Sequence, residues 1–159
     1  MNIGFTGTQD GMTPAQQAAL FDYLTVLGAA TLHHGDCIGA DVEAAVLATS
    51  LGLRTHGHPP DNPKKRAFFD SDVSEPEAPY LVRNRAIVAA CELLIACPSG
   101  FAPRRRSGTW TTARYAHDAH KPVVTIFPDG TMTIDSLTDL LTPPSSDQLM
   151  KGAADADDS

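Results

Sequence analysis

The sequence predicts an α/β fold: a single Rossmann-like, doubly wound domain with about five parallel strands and helices on both faces. Three observations carry this. Short apolar runs of strand length alternate with longer segments of helical periodicity. The runs are apolar throughout rather than alternating, as strands buried on both faces are. Each run is closed by glycine or proline before the next helical segment begins.

Asn2–Thr6 is the first such run and ends at Gly7. Thr13-Pro14 then supplies an N-cap followed by proline at the first helical position. The helix QQAALFDYLTVL closes on Gly28, and Ala29–His33 forms the second strand before His34-Gly35-Asp36. A second helix follows Asp41 and closes on Gly52; Leu53–His58 is the third strand, stopped by Pro59-Pro60. Residues 59–79 hold five prolines and read as a long loop with one turn around Lys65–Phe69. Tyr80–Cys91 is helical in pattern, Glu92–Cys97 is the fourth strand, and the helix TWTTARYAHDAH follows the loop 98–108. Lys121–Pro128 is the fifth strand. Asp129-Gly130 is a turn, and Thr131–Ile134 alternates as a short extra edge strand does. One domain spans 1–142, and the acidic segment 143–159 is expected to be disordered.

Of 159 residues, 42% are hydrophobic and 19% charged, and the net charge is −7. That balance opposes general affinity for nucleic acid. The basic residues nevertheless gather in short runs: Lys64-Lys65-Arg66, Arg83 with Arg85, and Arg104-Arg105-Arg106. A local anion site is compatible with them. Three cysteines without CxxC spacing, no apolar run of membrane-spanning length and no leader at the N-terminus make a reduced, cytoplasmic setting the expectation.

In a doubly wound sheet, ligands sit beyond the carboxyl ends of the strands where strand order reverses. Three glycine-bearing segments fall there. Gly7-Thr8-Gln9 ends the first strand, and its backbone amides and the Thr8 hydroxyl suit an oxyanion. His34-Gly35-Asp36-Cys37-Ile38-Gly39-Ala40-Asp41 ends the second. Gly35 and Gly39 permit close approach, Asp36 suits a ribose or base edge, and Asp41 suits either a cap or a ligand. The third segment joins Arg83-Asn84, Ser99-Gly100 and Ser107-Gly108-Thr109. Gly108-Thr109 opens a helix, where free N–H groups favour phosphate, and Arg83 supplies counter-charge. Arg104–Arg106 form a basic stretch over this helix start.

No GxGxxG or P-loop pattern is present, so no cofactor is expected. His33, His34, Asp36, Cys37, His56 and His58 gather at the ends of the second and third strands. His33 and His34 point to opposite faces, and no HxxxH or CxxC spacing supports zinc, so no metal is expected.

Together, HGDCIGAD, RNRAIVAACELLIACPSG and SGTWTTARYA resemble the SLOG superfamily of Rossmann-like nucleotide-binding proteins. The likeness spans about residues 2–128. It covers the YspA/YpsA-like branch, the LOG phosphoribohydrolases and the Smf/DprA group. It implies a small nucleotide-like ligand, a homodimer as the default assembly, and a place among phage, mobile-element or bacterial conflict proteins. It also implies, for LOG-like members, hydrolysis of the N-glycosidic bond of nucleoside 5′-monophosphates by a glutamate and an arginine. Here Arg83 matches the arginine, but the glutamate position is Thr112, and FAPRRRS is inserted before Gly108. A hydroxyl cannot stabilise oxocarbenium-like charge as a carboxylate does. The leading expectation is therefore phosphate-anchored ligand binding by a sensor, carrier or sequestering module. Hydrolysis with Asp36 and Arg83 as catalytic candidates is the alternative, and DprA-like single-stranded DNA binding is the second alternative.

Overall fold

A computed structural model of the chain describes residues 1–135. The proposed acidic tail at 143–159, and the domain end at 142, lie outside the described residues. The elements in chain order are β1 (Asn2–Gly7), α1 (Pro14–Leu27), β2 (Thr31–His34), α2 (Ala40–Ser50), β3 (Arg54–Gly57) and β4 (Val73–Ser74). Then come α3 (Tyr80–Ala90), β5 (Leu93–Cys97), α4 (Gly108–Asp118), β6 (Val123–Ile126) and β7 (Met132–Asp135). Among the described residues, no helix is long and apolar enough to cross a membrane.

The strands form one sheet in the order β4-β3-β2-β1-β5-β6-β7. All neighbours are parallel except β6 and β7. The expected five parallel strands are therefore six. The addition is β4, two residues within the proline-rich segment, which joins the sheet by main-chain pairing of His56 with Val73 and Gly57 with Ser74. Two exposed residues carry no apolar pattern, so nothing in the sequence marks them. The extra edge strand is β7, antiparallel as the turn at Asp129-Gly130 requires.

Alternation along the strands divides the core into two layers. Ile3 and Phe5 of β1, Leu32, Ile95 and Val124 pack under Leu20 and Leu24 of α1 and Ala44 and Ala48 of α2. On the opposite face, Leu94, Ala96 and Val123 meet Ile87 and Val88 of α3 and Ala113 and Ala116 of α4. Small residues on α2 and α4 let those helices lie close to the sheet.

α1 starts on a complete capping box: the Gln16 amide donates to the Thr13 hydroxyl and the Thr13 amide to Gln16 Oε1. Buried Gln16 has a second task. Its Nε2 donates to the carbonyls of Pro98 (2.8 Å) and Ile126 (2.9 Å), at the ends of β5 and β6. This holds the carboxyl end of the sheet to the start of α1. α2 begins at Gly39, whose φ of 92° lies in the region closed to most side chains. A Cβ there would run into the Gln9 carbonyl.

Candidate functional site

β1 has β2 on one side and β5 on the other, so strand order reverses at β1/β5. A cleft of about 500 Å³ opens at that point, beyond the carboxyl ends of the strands. Its walls come from the loops after β1 and β5, the start of α2, the first turn of α3 and the start of α4.

The α4 wall presents a helix N-terminus to the cleft. Ser107 is the N-cap, and its hydroxyl accepts from the Trp110 amide at 3.4 Å. The Thr111 amide donates to the Ser107 carbonyl. Gly108 and Thr109, the first two residues of the helix, line the cleft, where unpaired N–H groups and the helix dipole favour negative charge. Arg106, immediately upstream, lines it as well, and so does Lys65 from the long loop. An acidic protein thus concentrates cationic groups at one helix start.

The opposite wall holds a buried ion pair. Arg83 Nη1 donates to the Gly35 carbonyl at 2.9 Å and lies 3.6 Å from Asp41 Oδ2. Nη2 donates to Cys37 Sγ at 3.3 Å, and the guanidinium rests over the Tyr80 ring, 4.5 Å from its centroid. Arg83 Nε is buried and has no hydrogen-bond partner among the described residues. Burial pushes the Asp41 carboxyl up to about 6 even though Arg83 pulls it down. The Tyr80 hydroxyl accepts from Gln9 Nε2 at 2.7 Å, joining the β1 loop to α3.

The residues singled out in the sequence separate here into two groups. Gly7, Thr8 and Gln9, then Asp41, Arg83, Asn84 and Ser99, and finally Ser107, Gly108 and Thr109 all line the cleft. Gly35, Asp36, Gly39 and Gly100 are not among the lining residues. Gly35 makes room for Arg83: a Cβ would collide with Nη1. Asp36, at φ 48°, turns away. Its carboxylate accepts from Arg66 Nε at 3.1 Å and from the Phe69 amide at 2.9 Å. The Asp36 carbonyl accepts from the Ala67 amide, so this residue fastens the 59–79 segment beside the cleft and sets where Lys65 lies. The Thr8 amide also differs from expectation, because it donates to the Cys97 carbonyl at 3.1 Å. Gly39 serves the tight approach to Gln9 described above.

Cys37, Lys65, Tyr80 and Arg106 also line the cleft; Arg106 and Lys65 belong to basic runs visible in the sequence, whereas no motif assigned Cys37 or Tyr80 to the site. Tyr80 had a usable signal, an aromatic at a helix start three residues before Arg83. Cys37 had none. Asp41 is not a cap, since the N-cap is Gly39 without a side-chain bond, and its carboxylate turns to Arg83 instead. Thr112, at the position of the LOG glutamate, is fully buried and donates to the Gly108 carbonyl at 2.8 Å.

Apart from the cleft, three histidines meet on β2 and β3. His33 and His56 are paired in register, and His58 lies two residues beyond His56 on the same face. His33 Nδ1 is 3.0 Å from His58 Nε2. The His56 ring stacks on both, with centroids 4.5 Å from His33 and 4.9 Å from His58. His34 faces the other way, its Nε2 2.8 Å from Ser71 Oγ. Burial, with repulsion from neighbouring histidines, lowers His33 and His58 to about 4.

The sheet order and the cleft at its reversal define a Rossmann-like α/β protein with a cleft lined by a helix N-terminus. No protein-family model matches the chain, and no curated protein does. Solved structures match it in fold. A molybdenum cofactor binding protein from the phototrophic bacterium Rippkaea orientalis aligns at TM-score 0.62 and 22% identity, over 87% of this chain and 78% of that one. The molybdenum cofactor carrier protein of Chlamydomonas reinhardtii aligns at 0.57 and 23%, over 78% and 74%. DNA processing protein A from Streptococcus pneumoniae aligns at 0.60 and 18%, over 96% of this chain and 54% of that one.

Proposed function

We propose that the chain binds a small nucleotide-like ligand through its phosphate, acting as a sensor, carrier or sequestering module of SLOG type. The observation that carries this reading is the α4 start. Gly108 and Thr109 face a roughly nucleotide-sized cleft with Arg106 and Lys65 beside them. The phosphate sits on the helix N-terminus. The sugar and base extend towards Tyr80 and Asn84, where Arg83 Nε offers a further buried donor. Fold neighbours named for a molybdenum cofactor add that phosphorylated pterin to the ligand classes, since its phosphate meets the same donors.

A thermal-shift panel of nucleoside monophosphates, cyclic nucleotides, NAD, ADP-ribose and a pterin phosphate tests this. A true ligand at about a hundred times its Kd stabilises by roughly 2.7 kcal/mol. Arg106→Glu and Lys65→Glu lower the affinity of that ligand while leaving the unliganded melting temperature in place. A panel in which no phosphate compound shifts the transition removes the proposal.

A second reading has one specific observation behind it. Asp41 is a buried carboxylate in the cleft with its pKa lifted to about 6, the kind of group that glycosidic-bond hydrolysis uses. Under this reading Asp41 takes the place of the absent glutamate, and Asp36, committed to Arg66 and Phe69, does not. Chromatography of the same panel decides: free base released by wild type and lost in Asp41→Asn supports hydrolysis, whereas ligand bound and recovered intact excludes it.

A further inference from the structure

We propose that His33, His56 and His58 form a binding site for a zinc-class divalent cation, separate from the phosphate cleft. One ligand nitrogen from each ring lies within 4.8 Å of the other two. Two nitrogens on a tetrahedral zinc are roughly 3.4 Å apart, given bonds of about 2.0–2.1 Å. His33 and His58 already stand at 3.0 Å. A side-chain torsion of His56, the partly exposed member of the three, supplies the remainder.

The backbone explains why three rings converge. Register pairing sets His33 directly beside His56, and strand period two returns His58 to the same face. His33 and His34, adjacent on β2, face opposite sides of the sheet and cannot share an ion. The pattern that brings the three together is His-x-His on one strand beside a histidine on the next. This proposal departs from the expectation that no metal is bound.

His33 and His58 are buried, and one proton shared between them uses one nitrogen of each ring. The second nitrogens of His33 and His58 make no side-chain hydrogen bond among the described residues and are not sealed from solvent, since Arg83 Nε is the one buried side-chain nitrogen or oxygen there without a partner. His56 Nε2 is held by Glu75 Oε1 at 2.8 Å. A carboxylate on one imidazole nitrogen fixes the tautomer and orients the ring, which is the usual outer partner of a metal-bound histidine. Glu75 follows directly on β4, so the strand that the sequence did not reveal delivers this carboxylate. Three neutral nitrogen donors suit zinc, cobalt, nickel or copper ions and not calcium or magnesium, which require oxygen ligands. Solvent completes the coordination.

The test uses the full chain, stripped with chelator and titrated with zinc chloride by calorimetry and with cobalt chloride by visible spectroscopy. The expected result is one ion per chain and cobalt bands of tetrahedral intensity. His56→Ala lowers zinc affinity by at least about tenfold and abolishes the bands. Glu75→Gln weakens binding by roughly tenfold, within the range for outer-partner loss. The metal-free melting temperature of both variants matches wild type, because both side chains are partly exposed. His58→Ala gives the same loss of binding where it folds. His117→Ala and His120→Ala, remote in sequence, bind as wild type. The proposal is overturned if zinc does not bind, if His56→Ala binds it as wild type does, or if the His117 and His120 variants are the ones that lose it.

Discussion

Arg83 shows how a single residue can serve both fold and site. Its guanidinium is buried against Gly35, Asp41, Cys37 and Tyr80, and only glycine at 35 leaves room for it. Removing it strands the Asp41 carboxylate without a counter-ion. Breaking one side of a buried pair costs roughly 3–5 kcal/mol, more than the pair contributes against an apolar replacement. Arg83→Met is therefore expected to lower stability by that amount in urea unfolding. Asp41→Asn in the same background returns part of the loss, giving a coupling of about 0.5–3 kcal/mol across the cycle. Additive losses would show that the two side chains do not interact. This residue was legible as a counter-charge because a guanidinium suits a bidentate phosphate or carboxylate partner and because it matches the arginine of the SLOG resemblance. Its true partner was not, since a carboxylate two residues after Gly39 reads as a cap. Asp36 shows the reverse error: its place in the chain suggests the cleft, but the backbone at φ 48° sends its carboxylate to Arg66 and Phe69.

At the scale of elements, the helices and long strands were readable because each ends on a residue with a local reason to end it. Thr13-Pro14 begins α1, and Gly28 at φ 60° closes it. β4 was not readable, because its pairing is made by main-chain groups of two exposed residues. Gln16 could be read only in part. Thr-x-x-Gln announces a capping box, yet nothing local reveals that its amide also holds Pro98 and Ile126. That link gives the next prediction. Gln16→Met keeps the volume but leaves two carbonyls and the Thr13 amide without partners in a buried place, at a cost of roughly 1–3 kcal/mol for each group that water cannot reach. Gln16→Glu restores the acceptor for Thr13 but turns a carboxylate towards two carbonyl oxygens, so it is destabilised further than Gln16→Met at neutral pH. Equal stability of the two variants would mean that the carbonyl contacts contribute nothing.

For the whole molecule, the sum of its buried titratable groups sets how stability responds to acid. His33, His34 and His58 are each lowered to about 4 from an ordinary value of 6.5, with burial the main cause in every case. The unfolded chain takes up protons at these positions near pH 6.5 and the folded chain only near pH 4. Their contribution is thus complete above about pH 6.5 and is lost as pH falls towards 4. Asp41 acts in the opposite sense. Its folded value of about 6 exceeds the ordinary 3.8, so between those values the native state holds the extra proton and gains stability as pH falls. Three groups oppose one, and the net effect is loss. The metal-free protein is expected to show a urea midpoint that declines from pH 7 to pH 4.5 with an unchanged slope of the transition. Asp41→Asn removes the opposing contribution and makes the decline steeper. A wild-type midpoint that instead rises as pH falls over this range would show that the histidines titrate in the folded state at their ordinary value, leaving Asp41 to act alone. They would then be reachable by water, contrary to the packing around β2 and β3.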